Sequence, residues 1–336
     1  MEYRKFGQTD LTVSVLGCGC WDASVQQTAG GGGYSDRMSA AIHRALELGI
    51  TCFDTAPVYG GGASERMLGK TLGAHRKDVV VVTKCGFGFE GSAEGRPKGR
   101  DARRESILPL VESSLQRLNT DYVDLLLCHF PDTSTPFEET MGAMDTLVQQ
   151  GKVRAIGVSN FSLDQLKQCH AIRPIDVVQY QLNMFDRRME PELFPYCQQQ
   201  GIGVMIWGSM ASGLLAGAFT ADTTFGNADW RAKGDASGEI IRGQYANEVF
   251  QRNVRLVDEL KPIAANRGKK MAQMALRWVL SNPAVSVALV GTINTQELEE
   301  NLGVLEWAIS EEDMRRIDGV FDKYGVDTHL PMLVDP

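Results

Sequence analysis

The chain has 336 residues, 43% hydrophobic and 23% charged, the balance of a folded globular protein and not of a disordered one. Its formal charge of −8 argues against a nucleic-acid partner, because phosphate binding needs a basic surface. No apolar stretch approaches the ~20 residues that span a bilayer, and no secretory segment follows Met1, so the expected setting is cytoplasmic with no membrane partner.

In chain order, residues 3–12 read as a small hairpin. Strand candidates follow at Val13–Gly19, Thr51–Thr55, Val79–Cys85, Tyr122–His129, Ala155–Ser159, Asp176–Asn183, Gly203–Trp207 and Val285–Gly291. Most are apolar at consecutive positions, as strands buried on both faces should be. Helical patterns lie between them: one capped by Ser35 and closed by Gly49, and one opened by Ser64 and ended by Gly73. Others cover Asp101–Leu118, Phe137–Gln150, Leu163–Ala171, Pro191–Gln200 and Gln296–Ala308. Residues 210–246 form a long Gly/Ala/Thr/Asp-rich loop, followed by helices at Glu248–Ala265 and Met271–Leu280 and a terminal helix from Glu311. Eight strands alternating with helices predict an α/β fold, a (β/α)8 TIM barrel forming one domain over residues 1–336. It should carry an N-terminal β-hairpin, the long loop after strand seven and extra C-terminal helices.

Seven cysteines, an odd number mostly inside strand-like runs, read as small buried hydrophobes in a reducing compartment. Cys18 and Cys20 are the one close pair, so no zinc site and no resident metal is expected. Gly86, Gly88 and Gly91 match GxGxxG after a strand, yet the following residues do not open a helix, and the dinucleotide fingerprint fails. Gly30–Gly33 reads as a loop tip.

In such a barrel the chemistry sits at the carboxyl ends of the strands. Those ends carry Asp54 with Tyr59 five residues on, then Lys84, His129, Ser159 with Asn160, and Gln179. A phenol is a poor acid near neutrality, and a cation beside it lowers its pKa. Lys84 is the expected cation, Asp54 its partner, Tyr59 the general acid or base, and His129 the donor to a carbonyl oxygen. A proton donor without a nucleophile suits hydride transfer, in which a cofactor supplies the other half.

These residues lie in stretches that resemble the aldo-keto reductases along essentially the whole chain. The segment from Gly49 to Gly69, Val82-Thr-Lys84, Tyr122 to Asp132 and Gly151 to Phe161 are similar to that family's motifs. The resemblance implies an oxidoreductase moving hydride between a nicotinamide and an aldehyde, ketone or sugar carbonyl. It places Ser159, Asn160 and Gln179 at the carboxamide, and Trp207 against the nicotinamide ring. Gly208, Ser209, Met210, Gly213 and Leu215 fall at the pyrophosphate, although the family usually has Ser-Pro-Leu where this chain has Gly-Ser-Met. Gly291, Thr292, Asn294, Glu297, Glu300 and Asn301 fall around the adenosine half, and Gly19 and Trp21 join the cofactor set. The substrate walls expected are Trp21, Phe130, Phe161, Trp230 and residues 324–332, beside Tyr59 and His129. NADP is the nominal cofactor, with NAD also admitted, because residues 291–301 contain no cation to meet a 2′-phosphate and Glu297 would repel one. Arg231 or Lys233 of the long loop is the expected substitute. The alternative from another class is a cofactor-binding regulatory subunit with little turnover, since some members of this family serve channels.

Overall fold

The computed structural model describes residues 1–21, 34–90, 95, 97–227, 229–233, 243–291 and 294–329, with the backbone alone at 34, 35, 230 and 233. The first helix begins at Tyr34, so Ser35 lies inside it and is not the expected cap; the glycine run 30–33, Thr292 and residues 330–332 lie outside what is described.

All eight predicted barrel strands form. They are β3 (Leu16–Gly19), β4 (Cys52–Asp54), β5 (Val80–Cys85), β8 (Val123–Cys128), β9 (Val153–Ser159), β10 (Val177–Gln181), β11 (Gly203–Trp207) and β12 (Val285–Val290). They close a barrel in the order β10-β11-β12-β3-β4-β5-β8-β9, with parallel pairing from β11 through β12, β3, β4, β5, β8 and β9 to β10. The expected hairpin is β1 (Tyr3–Lys5) against β2 (Thr12–Ser14). A second hairpin, β6 (Phe87–Phe89) against β7 (Pro97–Arg100), was not expected and occupies the GxGxxG stretch. Helices on the barrel strands' connections include α1 (Tyr34–Glu47), α2 (Ala63–Leu72), α3 (Arg104–Leu118), α4 (Phe137–Gln149), α5 (Leu163–Ile172) and α6 (Leu193–Gln200). Later come α7 (Asn247–Ala265), α8 (Met271–Ser281), α9 (Thr295–Asn301) and α10 (Glu311–Lys323).

The chain divides into two compact units. The first comprises Met1–Tyr180, Glu190–Trp207 and Pro283–Glu299 and contains the barrel; the second comprises Gln181–Met189, Gly208–Asn282 and Glu300–Pro336. The core of the first unit is the barrel interior, where Cys52, Val80, Val82, Leu125, Leu127, Ala155, Val177, Met205, Val287 and Leu289 cluster. Phe6, Leu11 and Val13 from the hairpin join that cluster and close its floor. Gly7, at φ +66°, makes the turn, and a Cβ there would lie 2.5 Å from the Gly203 nitrogen. Gly157 is needed for a different reason: its Cβ would lie 1.9 Å from the Val177 carbonyl oxygen of the neighbouring strand.

Side chains alternate along a strand, so each inward series can be followed upward from the core. Cys52 leads to Asp54, Val80 and Val82 to Lys84, Leu125 and Leu127 to His129, Ala155 and Gly157 to Ser159, and Val177 to Gln179. One end of the barrel thus collects the polar residues while apolar ones fill the layers beneath them.

All seven cysteines are buried and free. Burial pushes the Cys169 and Cys197 thiols up to about 12, which keeps them unreactive near neutrality. No described helix is long and apolar enough to cross a membrane, and no cluster of potential metal ligands occurs among the described residues.

Candidate active site

Asp54 and Lys84 form a buried ion pair, 4% and 1% exposed. The Lys84 ammonium donates to Asp54 Oδ1 at 2.8 Å and Oδ2 at 2.7 Å, to the Thr55 carbonyl at 2.9 Å, and to the Tyr59 hydroxyl at 3.2 Å. Gln179 Nε2 also donates to Asp54 Oδ1, at 2.8 Å. The carboxylate is therefore shared between a cation and an amide, and the cation spans from it to the phenol.

Tyr59 reaches Lys84 because the chain reverses sharply after β4. Gly60, Gly61 and Gly62 follow it at φ 63°, 59° and 82°, a left-handed run that favours glycine. A Cβ on Gly62 would lie 2.5 Å from Arg117 Cδ. Arg117 is itself fixed by a buried ion pair, its Nε 2.6 Å from Glu65 Oε2, and Glu65 Oε1 accepts from the Thr83 hydroxyl at 2.6 Å. This network ties α2 and α3 to the residue next to Lys84. Ser64 does not cap α2 as expected. Its hydroxyl bonds that of Thr55 at 2.8 Å and donates to the Cys20 carbonyl at 3.0 Å, while Gly62 occupies the cap.

The electrostatics correct one expectation. Lys84 does pull the Tyr59 pKa down, but burial outweighs it and Asp54 adds to burial, so the net shift is upward from 10.0. Tyr59 accordingly holds its proton at neutral pH and is set up to donate. Burial works against the Lys84 charge, yet Asp54 and Tyr59 together raise its pKa above 10.5 and keep it protonated. Burial, then the Lys84 charge, push His129 well below 6.5, so its imidazole is neutral.

The His129 ring is gripped by aromatic neighbours. Tyr59 meets it edge-on at 5.9 Å between centroids, Phe87 edge-on at 5.5 Å, and Phe130 stacks on it at 5.1 Å. Its backbone carbonyl accepts from Asn160 Nδ2 at 3.0 Å, and its amide donates to the Cys85 carbonyl at 3.0 Å. Phe87 was missed in the sequence, where Phe87-Gly-Phe89 directly after a strand was the available signal.

Other predicted residues divide between the two units. In the first, Ser159 donates to the Gln179 carbonyl at 2.9 Å and accepts from Asn160 Nδ2 at 3.0 Å. Asn160 holds a left-handed φ of 63°, a strained setting typical of functional positions. Gly19 pairs in register with Asp54. Trp207, half-buried at the end of β11, packs against the barrel core, and Trp21 is 43% exposed. Gly291 and Asn294 are exposed, and Asn294 Nδ2 lies 3.4 Å from Glu297 Oε1. Phe161, expected as a pocket wall, is fully buried against Phe137, and its carbonyl accepts from the Tyr180 hydroxyl at 2.7 Å.

In the second unit, the Gly208 carbonyl accepts from Asn183 Nδ2 at 3.0 Å, Ser209 is buried, and Met210 is half-buried. Ala211, Ser212 and Gly213 follow with φ of 48°, 56° and 102°. Such a run of left-handed residues is strained, and it is held by Tyr245, whose hydroxyl donates to the Ser212 carbonyl at 2.8 Å. Arg231 lies against the same turn, Nη1 3.5 Å from the Ser212 carbonyl, and is ion-paired with Asp229. The Leu215 side chain is fully buried. The Glu300 carboxylate meets Lys270 at 2.7 Å, and Asn301 is buried. Trp230 opens a short 3-10 turn, but its side chain and that of Lys233 lie outside the description. Tyr324 donates to Glu259 at 2.6 Å and is thereby held to α7.

Comparison with known proteins finds similar chains along the whole length. The chain is 34% identical to the aldo-keto reductase YhdN of Bacillus subtilis, over 100% of this chain and 98% of that protein. It is 32% identical to the NADH-specific methylglyoxal reductase of Escherichia coli, covering 93% of this chain and 96% of that one. The solved structure of the glycerol dehydrogenase AKR11B4 from Gluconobacter oxydans superposes with a TM-score of 0.85 at 32% identity, covering 99% and 98% of the two chains. The model of the aldo/keto reductase family matches residues 16–322. With the barrel and its polar rim in place, the chain belongs to the aldo/keto reductase family and is an oxidoreductase of carbonyl chemistry.

Proposed function

We propose that this protein reduces an aldehyde or ketone using a nicotinamide cofactor, with Tyr59 giving the proton to the carbonyl oxygen. The observation that carries this reading is the Lys84 ammonium seated between the Asp54 carboxylate and the Tyr59 hydroxyl in a buried site. Lys84 stabilises the phenolate left when the proton departs, and Asp54 holds Lys84 charged and in place. Neutral His129 donates a hydrogen bond to the carbonyl oxygen as charge develops there.

The cofactor, when bound, supplies the hydride. The donor set suits a carboxamide: Ser159, Asn160 and Gln179 bring hydroxyl and amide groups together, and Gln179 Oε1 is left to accept while Nε2 is engaged by Asp54. Trp207 offers a half-buried aromatic face at the same strand ends. The left-handed turn from Ala211 to Gly213 suits backbone contact with a pyrophosphate, and Arg231 beside it carries a cation despite its partner Asp229. Gly208, Ser209, Met210 and Leu215 are assigned with that turn to the pyrophosphate, and Gly19, Trp21, Gly291, Thr292, Asn294, Glu297, Glu300 and Asn301 to the remainder of the cofactor. Trp21, Phe130 and Trp230 are assigned to the substrate.

NADP remains the nominal cofactor, with NADH accepted nearly as well. Arg44 lies near α9, but its guanidinium is engaged by Glu299 at 2.7 Å and by Glu47 at 2.6 Å, and Glu297 adds further negative charge. The similarity to an NADH-specific enzyme is in keeping with that balance. A single catalytic domain acting in the cytoplasm completes the proposal.

Titrating NADPH and NADH by quenching of tryptophan fluorescence should give dissociation constants within about tenfold of each other. Mixing the preloaded enzyme with a panel of aldehydes should then oxidise the reduced nicotinamide in a single turnover. A hundredfold preference for NADPH would contradict weak discrimination, and binding without oxidation by any aldehyde or ketone would contradict the enzymatic reading.

A further inference from the structure

We propose that Phe87 and Arg100, facing each other across the β6–β7 hairpin, are positioning residues that set the orientation of the His129 ring. This rests on the reading of His129 as the donor to the carbonyl oxygen.

The two residues are register partners in the hairpin, and they grip the dipeptide His129–Phe130 from two directions. Phe87 stands T-shaped to both rings, 5.5 Å from His129 at 75° and 6.0 Å from Phe130 at 86°. The Arg100 guanidinium lies over the face of Phe130, 5.3 Å from the centroid, and its Nη1 donates to the Pro131 carbonyl at 3.3 Å. Phe130 in turn stacks on His129 with 27° between planes. No hydrogen bond to the His129 ring nitrogens occurs among the described residues, so aromatic packing alone sets its rotation there. The cation–π and edge-to-face contacts are individually modest, but each is directional and together they select one ring plane. A hairpin is a stiff mount for such a grip, and the Asp101 amide donating to the Gly86 carbonyl at 3.0 Å closes its base.

His129, Phe87 and Phe130 are each half-buried, so the same packing covers part of the imidazole. Among the described residues, the charged and titratable neighbours are Lys84 and Tyr59 behind the ring and Arg100 over Phe130 on the hairpin, with Asp101 turned to Arg103 and Ser106. Burial and the Lys84 charge both oppose protonation of His129. Loosening the hairpin should therefore expose the ring further and let it titrate.

The test uses the full chain with Arg100→Met, Arg100→Lys, Phe87→Leu and His129→Gln. Arg100→Met and Phe87→Leu should each lower kcat for carbonyl reduction about tenfold, as small misplacements of catalytic groups do, with cofactor binding unchanged. Each should also give kcat/KM a new acidic limb moving toward 6.5, the ordinary histidine value. Arg100→Lys keeps a cation over Phe130 and should recover most of the loss. If Phe87→Leu fails to fold, the Arg100→Met and Arg100→Lys pair carries the test. Folded Arg100→Met with wild-type kcat and pH profile would overturn the clamp, whatever its melting temperature. Wild-type turnover in His129→Gln would instead overturn the reading of the site on which the clamp depends.

Discussion

Tyr59→Phe should lower kcat for carbonyl reduction by a factor on the order of 10²–10⁴, the usual worth of a positioned proton donor. The hydroxyl is the one atom removed. The ring keeps its edge-on contact with His129 and its place under the Lys84 ammonium, 4.8 Å from the centroid. Cofactor affinity should stay near that of the parent, since the phenol is not among the groups assigned to the cofactor. Steady-state kinetics beside fluorescence titration separate the two effects. A variant retaining most of its turnover with cofactor bound would mean that the proton comes from elsewhere.

The second large effect concerns stability as well as rate. Lys84→Met removes the cation that compensates Asp54, a residue only 4% exposed. Breaking a buried pair from one side typically costs about 3–5 kcal/mol, because the remaining charge has lost its partner but not its burial. Gln179 Nε2 at 2.8 Å would still donate to Asp54, so the lower part of that range is expected. Urea denaturation measures it. Lys84→Met combined with Asp54→Asn should be less destabilised than the sum of the single changes, the signature of a coupled pair. Activity should fall in both singles without adding in the double, because both act through Tyr59. Unchanged stability in Lys84→Met, or strictly additive losses, would show that the two side chains do not work as a unit.

The barrel was legible because strands buried on both faces are written as apolar runs. Val80-Val-Val-Thr and Val123 to Cys128 admit few other readings, and all eight runs became strands. The polar ends were legible for a related reason. A Lys, an Asp or a His closing such a run is anomalous, and the period of two then places each on the inward face. What escaped depends on contacts between distant residues. The β6–β7 hairpin has too few apolar residues in Phe87-Gly-Phe89 and Pro97 to Arg100 to register as strands. The Glu65–Arg117 pair joins positions 52 residues apart, and its burial is decided by the packing of α2 on α3. Ser64 sits where a helix cap is expected, yet its hydroxyl is drawn to Thr55 and Cys20 instead. The sign of the Tyr59 shift was missed because a neighbouring cation is visible in a motif while the depth of burial is not.

The pH dependence of kcat/KM for carbonyl reduction tests the central assignment most directly. The shifts on Tyr59 and His129 fix its form. Tyr59 is raised above 10.0, so its acid form persists through neutrality and is lost only as the pH climbs past that value. His129 is depressed below 6.5, so it stays neutral as the pH falls through the range where a free histidine would charge. The profile should be flat across neutral pH, decline only above 10.0, and lose that alkaline limb in Tyr59→Phe. A limb near 6.5 in the parent that survives in Tyr59→Phe would assign the proton to His129 and contradict the account.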